Sequence, residues 1–154
     1  MILFKTPQDW LQCLLRVALG VVIFPHGAQK LLGLFGGNGF AATTGYFSAQ
    51  LGVPVWLTAL VVATEFGGGL LLMVGFLGRV AALALVADMV GAIALVHWKN
   101  GFFCTSGGLE YPLLLGVVAL VVVVRGSGAF SVDRALAGSP NLGRSPRTQS
   151  RFQP

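Results

Sequence analysis

Arg16, Glu65 and Asp88 each stand inside a long apolar run, and that placement constrains the chain more than any other feature of its sequence. There are four such runs, roughly 10–32, 54–77, 79–98 and 109–124. A bilayer core of about 30 Å is crossed by about 20 helical residues, and the first three runs reach that length. The fourth is shorter. It is extended upstream through Gly107 and Gly108 or downstream by Arg125 snorkelling to the interface. Its valines would suit a strand, but a lone strand in lipid leaves its backbone unpaired, so a helix is expected.

Composition agrees. The 154 residues are 55% hydrophobic and 10% charged, against about 25% charged in a soluble domain. Ten basic and five acidic side chains do not cover a water-facing surface. A soluble enzyme, a nucleic-acid binder and a disordered chain are therefore disfavoured, and the expected class is an all-α integral membrane four-helix bundle. The net charge of +5 comes largely from Arg125, Arg134, Arg144, Arg147 and Arg151, which read as a positive cytoplasmic flank rather than a DNA site. A single domain is expected over 1–137, followed over 138–154 by a disordered basic tail of Ser, Pro, Gly, Asn, Gln and Arg. The first run does not read as a cleaved signal peptide: Arg16 interrupts it, and Pro25, His26 and Lys30 occupy its end.

Orientation follows from lysine and arginine. With four spans both termini share a side, which holds Lys5, Arg79 and the arginines from Arg125 onward, while the other holds Lys30 and Lys99. The termini and the turn at Gly78-Arg79 are thus expected in the cytoplasm, with the loops near 33–53 and 99–108 outside. In the first of these loops Phe40, Phe47 and Leu51 recur at i, i+7 and i+11 among polar residues. That pattern predicts a short amphipathic helix at the interface, either a lid over a pocket or a lipid-anchored connector.

The charges inside the spans should face the bundle interior or a wet cavity, and be paired. At 1.5 Å per residue, Arg16 is ~9 Å and Asp88 ~13 Å from the cytoplasmic surface, and Glu65 ~16 Å from the opposite one. Arg16 is thereby expected to bridge to Asp88, to Glu65 or to both. Two acids facing one base leave one carboxyl to keep a proton or take one from a ligand; the alternative is an ion pair that fixes helix packing. Gly68 and Gly69, one turn beyond Glu65, permit either a close helix contact or ligand access.

A second cluster is expected near the outer surface. His26 and Lys30 lie at i and i+4 on the first helix, beside the kink expected at Pro25. His97 ends the third span, Glu110 begins the fourth, and Lys99 and Asn100 lie at the same level. The group could bind an oxyanion or a quinone head, or relay protons to Glu65; the alternative is ordinary interfacial side chains. Glu65, His26 and His97 are the candidate catalytic groups. Lys30, Arg16, Asp88, Lys99, Glu110 and Asn100 are the candidate binding groups. A metal site is not indicated, because the histidines have no ligand spacing. Cys13 and Cys104 fall at opposite ends of the membrane, beyond disulfide reach, which disfavours a dithiol mechanism.

In their order along the chain these residues resemble the DoxX family. The resemblance rests on Arg16 and Gly20, His26-Gly27 with Gln29-Lys30, Gly36-Gly37, Gly52-Val53-Pro54, Glu65 with Gly68-Gly69, and His97 with Asn100-Gly101-Phe102-Phe103. It continues through Gly107-Gly108 with Glu110-Tyr111-Pro112 and Gly126-Ser127-Gly128 with Ser131-Val132-Asp133-Arg134. It implies a four-helix inner-membrane protein and an association with redox systems, since founding members are similar to subunits of a thiosulfate-oxidising, quinone-reducing complex. No flavin, haem or iron–sulfur motif accompanies these residues, and Gly36-Gly37-Asn38-Gly39 does not join a strand to a helix as a nucleotide loop would. Two functions follow as expectations. One is a membrane subunit of a redox system, with quinone as cofactor and a soluble or membrane redox partner. The other is a non-enzymatic scaffold or assembly factor. A homo-oligomer is compatible with both.

Overall fold

The computed structural model describes Thr6 and residues 8–137; Lys5 and the tail expected over 138–154 lie outside the described residues. Among the described residues all regular structure is helical. Helix α1, Trp10–Leu32, starts where Asp9 accepts hydrogen bonds from the amides of Leu11 and Gln12, and stops at Gly33, whose φ of 73° a side chain would resist. Pro25 lies inside it. Helix α2 is Gly39–Leu51, in the loop where the Phe40–Leu51 spacing predicts one. Helix α3, Val55–Val74, contains a π turn over Thr64–Gly68. Helix α4, Gly78–Asn100, contains a second π turn over Ile93–His97. A short 3-10 turn, Cys104–Ser106, leads to α5, Glu110–Arg125, and α6, Val132–Ala137, ends the described chain.

Helices α1, α3 and α4 are long and apolar enough to cross a membrane. With 16 residues, α5 is shorter. It packs along α4, and α1 packs along α3. The buried apolar core joins all four, with Leu19 and Ile23 from α1, Leu72 from α3, Leu85 and Met89 from α4, and Leu115 and Val122 from α5. Leucines and valines on their other faces, such as Leu14, Leu60, Leu83 and Leu114, stay exposed, as lipid-facing residues do.

Two glycines set the spacing of α1 and α3. A side chain at Gly27 would run into the backbone of Glu65 and Phe66, and one at Gly69 would press on Phe24 of α1. Of the two roles open to Gly69, close helix contact is the one it fills. The pairing brings α1 against the π turn that carries Glu65.

One end of the molecule is closed by a hydrogen-bonded knot. The side chain of Asp133 accepts from the amides of Leu77 (2.7 Å) and Gly78 (3.0 Å), capping α4, and from the Ser127 hydroxyl (2.6 Å). Gln12 donates to the Gly126 carbonyl at 2.8 Å. Arg16, only 1% exposed, donates to the carbonyls of Ser127 (2.7 Å), Met73 (2.8 Å), Phe130 (3.2 Å) and Leu72. The expected pairing of Arg16 with Asp88 or Glu65 therefore does not form. The last carbonyls of α3 have no partner within the helix and carry the negative end of its dipole, so they attract the guanidinium. Glu65 lies seven residues earlier on α3, ~10 Å away along the axis.

Candidate functional site

Toward the other end of the molecule, the space between α2, α3 and α4 is a cavity of about 420 Å³. Its walls are mostly apolar, with Leu57 and Val61 from α3, Ala87 and Val96 from α4, and Tyr46 and Phe47 from α2. Lys30, Thr64, Glu65, Asp88 and His97 also line it. Of the two roles open to α2, Tyr46 and Phe47 contribute to the cavity wall, while Tyr46 is 57% exposed and no residue of α2 is buried.

The charged residues come from three helices. Lys30 pairs with Glu65 through Oε1. Asp88 lies within electrostatic reach of both. Glu65 is 4% exposed, and among the described residues its second oxygen and Asp88 Oδ2 are buried without a hydrogen-bond partner. The base facing the two acids is therefore Lys30, and not Arg16. Sequence spacing misassigns it because α1 presents two cations to different ends of α3. Lys30 sits one turn from the end of α1, where Thr43 of α2 donates to its carbonyl at 3.3 Å.

Both π turns belong to this cavity. Each inserts a residue into its helix, which turns the side chains there relative to a regular α-helix. One carries Thr64 and Glu65, and the other carries Leu95, Val96 and His97. π turns recur at functional sites for this reason. Apolar periodicity does not reveal them, since the runs around them, apart from Glu65, Arg79, Asp88 and His97, are almost wholly hydrophobic or small.

The remaining sequence-predicted residues divide. The Nδ1 of His97 donates to the Gly107 carbonyl at 2.7 Å. A carbonyl can only accept, so Nδ1 carries the hydrogen and Nε2 is left as the acceptor of the neutral ring. His26 meets the Tyr111 hydroxyl at 3.3 Å, on a contact between α1 and α5 and not in the cavity. Asn100 also donates to Gly107 (3.2 Å), and Glu110 accepts from the Cys104 amide (2.9 Å). These two hold the outer loop. Lys99 is exposed at the end of α4. The proposed outer cluster is thus split, with Lys30 and His97 at the cavity, His26 beside it, and Lys99, Asn100 and Glu110 in the loop. Tyr46 and Thr64 are additions that the sequence does not single out, because hydroxyl-bearing residues at helix surfaces carry no distinguishing pattern.

Cys104 is exposed in the 3-10 turn, and its thiol is pushed above its ordinary range by the hydrogen bond to the Glu110 carboxylate. Cys13, in the first turns of α1, accepts from Arg16 at 3.4 Å.

Long apolar helices beside an apolar cavity lined by Lys30, Glu65 and Asp88 define a membrane protein. The sequence pattern that defines the DoxX family matches residues 11–98, more than half of the chain, and the chain belongs to that family. The inner membrane protein YqjF of Escherichia coli (strain K12) is 35% identical over 121 residues, covering 79% of this chain and 88% of YqjF. CatD of Bacillus subtilis (strain 168), named provisionally as an oxidoreductase, is 29% identical over 120 residues, 78% of this chain and 82% of CatD. The membrane protein Rv3486 of Mycobacterium tuberculosis is 32% identical over 142 residues, 80% of this chain and 79% of Rv3486. No solved structure matches the chain.

Proposed function

We propose that this protein is a membrane subunit of a redox system, linked to quinone or to a thiosulfate or thiol donor, and that the Lys30–Glu65–Asp88 cluster is where its ligand is held. We infer further that α1, α3, α4 and α5 cross a bacterial inner membrane as a four-helix bundle with both termini in the cytoplasm. The positive residues at the knotted end, Arg79, Arg125 and Arg134, support that orientation. The observation that carries the reading is the position of the cluster: ionisable groups at the closed end of an apolar cavity that a lipid-soluble molecule can enter. Glu65 and Asp88 would exchange protons with a quinone head, and His97, with Nε2 free to accept, would pass them toward the outer surface. The likeness to a protein named as an oxidoreductase points the same way. A partner subunit would contribute part of the electron path.

The knot supports a second reading. Arg16 and Asp133 show that this fold uses buried charge for architecture, and a non-enzymatic scaffold would use Lys30 and Glu65 in the same manner. Purified protein titrated with a short-chain ubiquinone analogue separates the two. Under the redox reading the analogue binds, and Glu65→Gln weakens binding or coupled electron transfer by removing a group that exchanges protons with the quinone head. No binding to the wild type, with the variant equally stable, would establish the scaffold.

A further inference from the structure

The closed end of the cavity has more hydrogen-bond acceptors than donors to fill them. Glu65 spends one oxygen on Lys30, and the other is buried with no hydrogen-bond partner among the described residues. Asp88 Oδ2 is in the same condition on α4. Counted as ionised, the two carboxyl groups outnumber the one ammonium beside them. Buried acceptors are ordinarily satisfied, and those that are not call for an explanation. Lys30, Thr64 and His97 would serve a bound water here, but the wall beyond them, with Leu57, Val61, Ala87 and Val96, suits an apolar body. The cavity opens sideways: Leu60 of α3 and Ala84, Ala87 and Leu95 of α4 line it and are themselves exposed on the face that lipid would cover.

We propose that this cavity takes a lipid-soluble molecule whose head donates hydrogen, through a hydroxyl or an ammonium group. The head lies between Glu65 Oε2 and Asp88 Oδ2, and the apolar body lies beside Tyr46 and Phe47 of α2, between α3 and α4. A hydroxyl fills one acceptor and an ammonium fills both, adding a positive charge. A head bearing only carbonyl or ether oxygens has no hydrogen to offer either carboxylate. The inference builds on the ligand-site half of the redox reading, and in those terms it assigns the cluster to the reduced, hydroxyl-bearing form of the ligand.

The test uses the full chain in lipid nanodiscs and three probes of equal tail length: 4-heptylphenol, its methyl ether and heptylamine. Equilibrium binding is measured for each. The phenol or the amine should bind at least about tenfold more tightly than the ether, the ratio expected of one hydrogen bond to a charged acceptor. A phenol stronger than the amine identifies a neutral hydroxyl ligand, and the reverse order identifies a cation. Glu65→Gln and Asp88→Asn should each shrink the preference over the ether. The wild-type comparison stands alone if either variant fails to fold. Equal binding of phenol, amine and ether would overturn the inference. A quinone that binds tightly with no such preference would overturn it while leaving the redox reading intact. A strong donor preference without any quinone-coupled electron transfer would sustain it and remove the redox reading.

Discussion

Two buried charge clusters sit toward opposite ends of this molecule, and they differ in how completely they are satisfied. At the knotted end, Arg16 and Asp133 are each 1% exposed, and each has hydrogen-bond partners on several segments. At the cavity, Glu65 and Asp88 both keep an oxygen without a partner. A saturated cluster is finished by folding. An unsaturated one, placed beside open volume, is where the proposed ligand would bind. Burial and charge are common to both, so neither distinguishes structure from function; the remaining hydrogen-bond capacity does.

If that contrast holds, the largest effect of any substitution falls on the knot. Asp133→Ala removes the acceptor of the Leu77 and Gly78 amides and of Ser127, and should cost about 3 kcal/mol or more. Thermal unfolding in detergent should show a much lower midpoint or an unrecoverable protein; an unchanged midpoint would mean that the knot is ornamental. Next is Gly27→Leu, which forces α1 away from the Glu65 turn. Overpacking of this kind costs about 1–3 kcal/mol, and ligand binding should fall with stability because Lys30 and Glu65 separate. Retained binding would show that the close contact does not set the site.

Glu65→Gln should behave in the opposite way to Asp133→Ala. Gln keeps the size of the side chain and leaves Lys30 an oxygen to donate to, so the loss of stability should stay below that of Asp133→Ala. Ligand binding should nevertheless be largely lost. A collapse in stability matching that of Asp133→Ala would erase the difference between the two clusters. The smallest effect is expected outside the bundle. The Glu110 carboxylate raises the Cys104 thiol by accepting its hydrogen bond. Glu110→Gln should therefore lower the thiol toward its ordinary range, increase the thiolate fraction near neutral pH and speed maleimide labelling several-fold. No change in rate would mean that the carboxylate does not face the thiol in solution.

The boundaries of the helices were legible because hydrophobic length and Gly or Pro stops are local signals. The run from Trp10 ends at Gly33 as its pattern predicts, and α2 lies where Phe40, Phe47 and Leu51 place it. Glu65 and Asp88 were legible as buried acids for the same reason. Their partner was not. Choosing between Arg16 and Lys30 requires knowing that α3 ends in unsatisfied carbonyls beside Arg16, and that Gly27 brings the Lys30 end of α1 onto the π turn. Both are properties of how two helices meet, which depth along either one does not encode. Asp133 was visible only as one letter of a motif, because its work is to cap a helix that begins 55 residues earlier.

The most direct test is a structure determined in a lipid bilayer with a hydrogen-donating ligand such as 4-heptylphenol present. The account expects its oxygen within hydrogen-bond distance of Glu65 Oε2 or Asp88 Oδ2, its tail beneath Tyr46 and Phe47, and the Arg16–Asp133 knot unchanged. A cavity filled by acyl chain alone, with the two carboxyl groups turned onto each other or out to lipid, would contradict it.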